Sequence, residues 1–337
     1  MPPALFASND SMRAGHSLKS VDALAGAQVT LAREQLNAWS SPFWSPRLSE
    51  DSPRAEAGWV DFSTPPALAS FAGIGRRARL AWPVNSRQVK KPKLPAPPPH
   101  GCVVVINTGL RRRNVPLDSL TERDLIDCYP VRRFQRNYAQ GHKPGTVWLH
   151  TNRDLVAFES QLERSFAVLA DFHPEIVHIA SQPMTMRFRW REEDTTHTPD
   201  YLILSSCGCL LFVDVKTPEE AAKPEWVDKH AAVAHQLAGA GMGHLVWTGM
   251  HQRIVQNLGM MASARPSDDD YNTRGRQVWS LIKSNLGGTL DDIAATAATN
   301  GVAASEARVL IRRMIWTGRV GTDLGSRFDG RSLLKAS

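Results

Sequence analysis

The densest hydrophobic patterning in the chain lies between Asp154 and Lys216. Leu155, Phe158, Leu162, Phe166 and Leu169 recur at helical spacing and predict one amphipathic helix, with Asn152 or Asp154 as its cap. Ile176 to Ser181 and Met184 to Trp190 read as strands, and Arg191 to His197 as a polar loop. Two β-rich runs follow, Tyr201 to Ser205 and Cys209 to Val215. They flank Ser206-Cys207-Gly208, a hairpin loop whose last residue accepts the left-handed conformation. Leu210-Leu211-Phe212-Val213 is apolar on both faces, as in a strand covered on each side. Pro224 to Ala240 reads as a helix with Ala, Val and Leu toward the sheet, and His244 to Thr248 as a final strand.

The hairpin loop fixes a register in which Asp200 lies opposite Asp214. Directly opposed side chains stand about 4.5–5.5 Å apart at Cβ, and two carboxylates that close repel. A polyvalent cation removes the conflict, and Mg²⁺ favours such an oxygen-donor site. Alternation places Lys216 on the face of Asp214. Glu159 and Glu163, four residues apart, share one helix face and offer a third acid; spacing alone does not choose between them. His173 and His178, and likewise His230 and His235, are five apart, which does not suit a shared helical ligand face, so these histidines read as structural.

Toward the ends the pattern thins. In residues 1–100, Val21 to Trp39 could form one helix. Lys90 to Pro99 is a stiff proline linker, and the region as a whole reads as largely disordered. Cys102 to Ile106 is a strand, followed by Arg111-Arg112-Arg113, a short helix near Ser119 to Asp127, and the basic run Val131 to Arg136. Those basic clusters, with Phe134, Tyr138 and Trp148, suit either a DNA backbone or an ordinary solvated surface. Ser263 to Asp270 reads as a linker. Beyond it come a helix over Arg276 to Ser284 and a capping box at Thr289-Leu290-Asp291-Asp292 opening a second helix. A third helix, Ser305 to Trp316, bears Arg308, Arg312 and Arg313. A glycine-rich wing follows over Arg319 to Leu334, completing a winged-helix pattern.

Composition narrows the classes. No apolar run approaches the ~18–20 residues of a membrane span, and the first twenty residues lack a signal-peptide core. Four cysteines without a CxxC pair indicate neither zinc nor a disulfide framework, which fits a reducing, cytoplasmic location. The net charge of +7 is divided: residues 76–143 carry +11, residues 144–270 carry −7, and residues 271–337 carry +5. An acidic segment bracketed by basic ones suits a protein whose acids take cations while its flanks hold phosphate.

Glu159-Ser-Gln-Leu-Glu163, Phe172-His173-Pro174, Gln182-Pro183, Thr198-Pro199-Asp200 and Val213-Asp214-Val215-Lys216 together resemble the PD-(D/E)XK nuclease core. More narrowly they resemble TnsA, the endonuclease subunit of heteromeric bacterial transposases, over about residues 131–255. The resemblance implies an α/β fold: a restriction-endonuclease-like core with a central mixed sheet flanked by helices, a winged-helix-like C-terminal domain and a poorly ordered N-terminal region. The expected divisions are 1–100, 101–262 and 271–337. It further implies that Glu163 is the helical acid, and that Glu163, Asp200 and Asp214 with the Val215 carbonyl hold Mg²⁺, or Mn²⁺ in its place. Lys216 would orient water or stabilise developing charge. Family members can carry Gln where Asp214 stands. The implied partners are double-stranded DNA, a DDE-type transposase subunit and, through the C-terminal domain, an ATP-dependent transposition regulator; no membrane is involved. Two other readings stay open: a stand-alone restriction or repair nuclease, and a non-catalytic DNA- or partner-binding protein on a nuclease fold.

Overall fold

Val103-Val104-Val105-Ile106 is β-branched throughout, and side chains so restricted at χ1 favour extended backbone. In the computed structural model this run forms strand β1 (Cys102–Asn107), followed by β2 (Arg112–Pro116) and a short helix α1 (Glu122–Ile126). The structure describes residues 94–97 and 101–336 apart from 109–111, 127, 133–143, 174–175, 206–209 and 286. The expectations for residues 1–93, for Phe134 and Tyr138, and for the loop after Ser205 lie outside the described residues.

The predicted helix of 154–169 is two elements. Asp154–Phe158 is strand β4, paired antiparallel with β3 (Gly145–Leu149), and helix α2 spans Gln161–Phe172. Leu155 and Phe158 fit helical spacing by coincidence. Their backbone groups are taken by the β3 ladder, and Ser160, whose hydroxyl accepts the Glu163 N–H, starts the helix behind them.

β5 (Ile176–Ser181) and β6 (Met184–Trp190) form as expected, but Arg191 to His197 is not a loop. A turn at Arg191-Glu192, with φ of 49° and 67°, leads into β7 (Glu193–His197), which pairs with β6. A two-residue turn with positive φ at both positions is the favoured hairpin connection, and non-glycine residues here concealed it. β8 (Tyr201–Ser205) and β9 (Leu210–Val215) pair from Tyr201↔Val213 to Leu204↔Leu210, the expected register. Then follow α3 (Pro218–Ala221), α4 (Pro224–Gly239) and β10 (Gly243–Trp247), the last parallel to β9.

Two four-stranded sheets result, ordered β2-β1-β6-β7 and β10-β9-β8-β5. The second is mixed and covered on both faces, as the doubly apolar β9 requires. Leu202 and Phe212 face the first sheet and the Val233 and Leu237 side of α4. Tyr201, Ile203, Leu211 and Val213 face Phe166 and Ala167 of α2.

The C-terminal part adds α5 (Gln252–Ala262), α6 (Asp268–Ser284), α7 (Leu290–Thr299), α8 (Ala304–Trp316) and the short pair β11 (Val320–Gly321) and β12 (Lys335–Ala336). Ser267 caps α6, so the last three residues of the expected linker are helical. The Thr289/Asp292 capping box is present. Arg313 of α8 points inward: it is buried, and its guanidinium donates to His150 Nδ1 at 2.7 Å. The Trp316 ring lies 5.2 Å from that of Phe172, and one apolar core runs from the mixed sheet through α5 to α8. Among the described residues no helix is long and apolar enough to cross a membrane.

Candidate active site

Asp200 stands one step beyond the last paired residues of β8 and β9, where Pro199 leads into the sheet. Its N–H donates to the Val213 carbonyl at 3.0 Å, which holds the backbone in register. Its Oδ2 accepts the Val215 N–H at 2.8 Å and Lys216 Nζ at 3.3 Å. Lys216 Nζ also donates to the Val215 carbonyl at 3.1 Å and lies 5.2 Å from the Trp226 ring centre.

Glu163 occupies the first turn of α2, where the unpaired N–H groups favour a carboxylate. Its Oε2 accepts the Glu159 N–H at 2.7 Å, and its Oε1 accepts the Ser160 hydroxyl at 3.0 Å. Glu159 lies one residue before the cap, half-exposed, 3.7 Å from Arg132. The two glutamates therefore do not share a helix face, and of the two only Glu163 is buried.

Glu163, Asp200, Val215 and Lys216 line one cleft of about 910 Å³, together with Glu159, His197, Trp226 and Lys229. Burial, then the charge of Asp200, pushes the Glu163 carboxyl up to about 7 against its two hydrogen bonds. Burial raises Asp200 too, by more than the Lys216 charge lowers it. Lys216 is raised: burial pulls it down, but Asp200 and Asp214 outweigh that. The pair is unequal, because the lysine is surrounded by carboxylates whereas the aspartate meets one lysine.

Asp214 sits elsewhere. It is fully buried and not among the residues that line the cleft. His197 Nε2 lies 3.0 and 2.9 Å from its two oxygens, and His244 Nε2 lies 2.7 Å from Oδ2. His230 Nε2 is 3.7 Å from the same oxygen. Burial pushes Asp214 upward, yet His197, by charge and hydrogen bonding, and the hydrogen bond from His244 outweigh it and hold the carboxyl well below its ordinary value. Burial lowers His230 to about 3, so its ring is neutral.

The residues singled out in the sequence thus separate. Glu163, Asp200, Val215 and Lys216 meet in the cleft, while Asp214 lies behind its wall on three histidines. Those histidines come from β7, α4 and β10, so no spacing within one element reveals them. The available signal was weaker: His230 and His244 are polar residues inside otherwise apolar faces.

Two buried carboxylates raised by burial and repulsion, beside an open cleft, favour a bound divalent cation, which offsets both effects. The donor set is all oxygen, as a hard ion prefers. No protein-family model matches the chain, and a search of curated proteins finds no match.

Proposed function

We propose that the chain is a metal-dependent DNA endonuclease of the TnsA kind, the cutting subunit of a heteromeric transposase. The observation that carries this reading is the meeting of Glu163, Asp200 and Lys216 in one cleft. They come from the first turn of a helix, the approach to one strand and the end of the next, in the order of the Glu…Pro-Asp…Asp-x-Lys pattern. Glu163, Asp200 and the Val215 carbonyl would hold Mg²⁺, for which Mn²⁺ would substitute. When bound, the ion lowers the pKa of a water and neutralises charge on the attacked phosphate.

The protein's own groups do the rest. Lys216, kept charged by its carboxylate neighbours, orients the attacking water or stabilises the charge that develops on phosphate. Lys229 and Arg132 at the cleft place positive charge where a DNA backbone would run. Asp214 accepts from His197, which lines the cleft, and so orients its ring. The reaction is phosphodiester hydrolysis, one strand at each transposon end. A DDE-type transposase takes the other strand, and an ATP-dependent regulator is contacted through the C-terminal helices.

The test is nicking of supercoiled plasmid by the full chain with Mn²⁺. Asp200→Ala, Lys216→Ala and Glu163→Gln are each expected to slow nicking by about 10²-fold or more, with Glu159→Gln much milder. Undiminished nicking by Asp200→Ala and Lys216→Ala would end the nuclease reading.

A further inference from the structure

The environment of Asp214 is more than a carboxylate needs. Two histidines, His197 and His244, already donate to its oxygens. A third, His230, is 1% exposed, and neither of its ring nitrogens has a hydrogen-bond partner. An imidazole placed so deep without a partner is a cost that hydrogen bonding to Asp214 does not offset. Its Nε2 nevertheless turns toward Asp214 Oδ2, at 3.7 Å.

The distances fit a coordination shell. Ligand atoms on a tetrahedral ion with bonds of roughly 2.0–2.2 Å stand about 3.3–3.6 Å from one another. The three Nε2 atoms lie 2.9, 2.7 and 3.7 Å from Asp214 Oδ2, values that bracket that separation. Ligand atoms of His197, Asp214 and His244 all lie within 4.8 Å of one another. His230 stands outside that group, its ring centre 5.8 Å from that of His244 and 6.2 Å from that of His197.

We infer that His197, Asp214 and His244, with His230 beside them, form a second metal site behind the wall of the cleft, for a divalent transition ion that prefers nitrogen, with Zn²⁺ as its expected occupant. Two imidazoles and one carboxylate suit Zn²⁺ or Co²⁺ and not Mg²⁺. The ion has a structural role, since all three of its ligands are buried. It ties β7 and β10 to β9 immediately before Lys216, so it positions the lysine and His197 without touching DNA. The inference does not rest on the nuclease reading.

The experiment uses the full chain, produced in zinc-depleted medium, given Co²⁺ and dialysed. The expected result is one Co²⁺ per chain with the strong visible absorption of a four-coordinate ion. Zn²⁺ should displace it, and a large excess of Mg²⁺ should not. His197→Gln and His244→Gln should lose the absorption, whereas Asp200→Asn and Glu163→Gln should keep it. Circular dichroism checks that each variant is folded. A folded wild-type chain that retains neither Co²⁺ nor Zn²⁺ after dialysis overturns the inference, and so does an absorption that survives both histidine substitutions combined. If instead the Co²⁺ signal behaves as expected while plasmid nicking fails, the metal site stands and the nuclease reading falls.

Discussion

Glu163 closes the first turn of α2 and also faces Asp200 across the cleft, and the two roles set its titration. Its pKa is raised from 4.5 to about 7 by burial and by Asp200. A raised carboxyl favours folding while protonated, so its contribution is full below about pH 4.5 and is lost as pH rises through about 7. At 1.36 kcal/mol per unit the change is on the order of 3 kcal/mol. Urea unfolding of the metal-free protein across that window should therefore show a decline in stability with pH. Glu163→Gln should remove most of it; parallel curves for the two proteins would mean that Glu163 titrates normally. The register that brings Asp200 to the end of β9 was legible in the sequence because a hairpin loop is a short-range signal, whereas alternation, which put Lys216 with Asp214, did not reveal that Asp214 lies outside the cleft. The histidines around Asp214 were not legible, because three separate elements supply them and only the tertiary fold brings them together.

At the scale of elements, the two helix caps separate stability from site geometry. Ser160 caps α2 and donates to Glu163, and Thr289 caps α7 far from the cleft. Ser160→Ala and Thr289→Ala should each cost about 1 kcal/mol in urea unfolding. Only Ser160→Ala should also slow Mn²⁺-dependent nicking, since it frees a cleft carboxylate. Equal nicking by both variants would show that Ser160 does not position Glu163. The central hairpin could be read from sequence because β8 and β9 are uniformly β-rich and β9 is apolar on both faces. β4 could not, since Leu155 and Phe158 satisfy a helical period while pairing as a strand. β7 was hidden by a turn that takes positive φ at Arg191 and Glu192 without a glycine to announce it.

Across the whole molecule, the break in pattern after Ala262 is a break in the chain and not in the packing. Trp316 rests against Phe172, Arg313 reaches His150, and Leu258 and Met261 share a core with Tyr271, Val278 and Ile311. A chain ending at residue 262 uncovers that core. It should unfold at clearly lower urea than the full chain or aggregate, and the full chain should unfold in one transition by both circular dichroism and tryptophan fluorescence. Two separated transitions would establish an independent C-terminal unit instead. The sequence carried the helices and the capping box of this region, because caps are local. It did not carry the docking, which depends on Arg313 and Trp316 facing inward.

The cleft as a cation site is tested most directly by thermal melts with EDTA and with Mg²⁺, on wild type and Asp200→Asn. Mg²⁺ is the ion to use because imidazole nitrogens bind it poorly, so the histidine cluster stays silent. At about a hundred times its dissociation constant, Mg²⁺ should stabilise the wild type by roughly 2.7 kcal/mol. Asp200→Asn should lose most of that gain while remaining folded. A variant that keeps the full Mg²⁺ shift, or a wild type that shows none, would contradict the assignment of Glu163 and Asp200 as the residues that hold the ion.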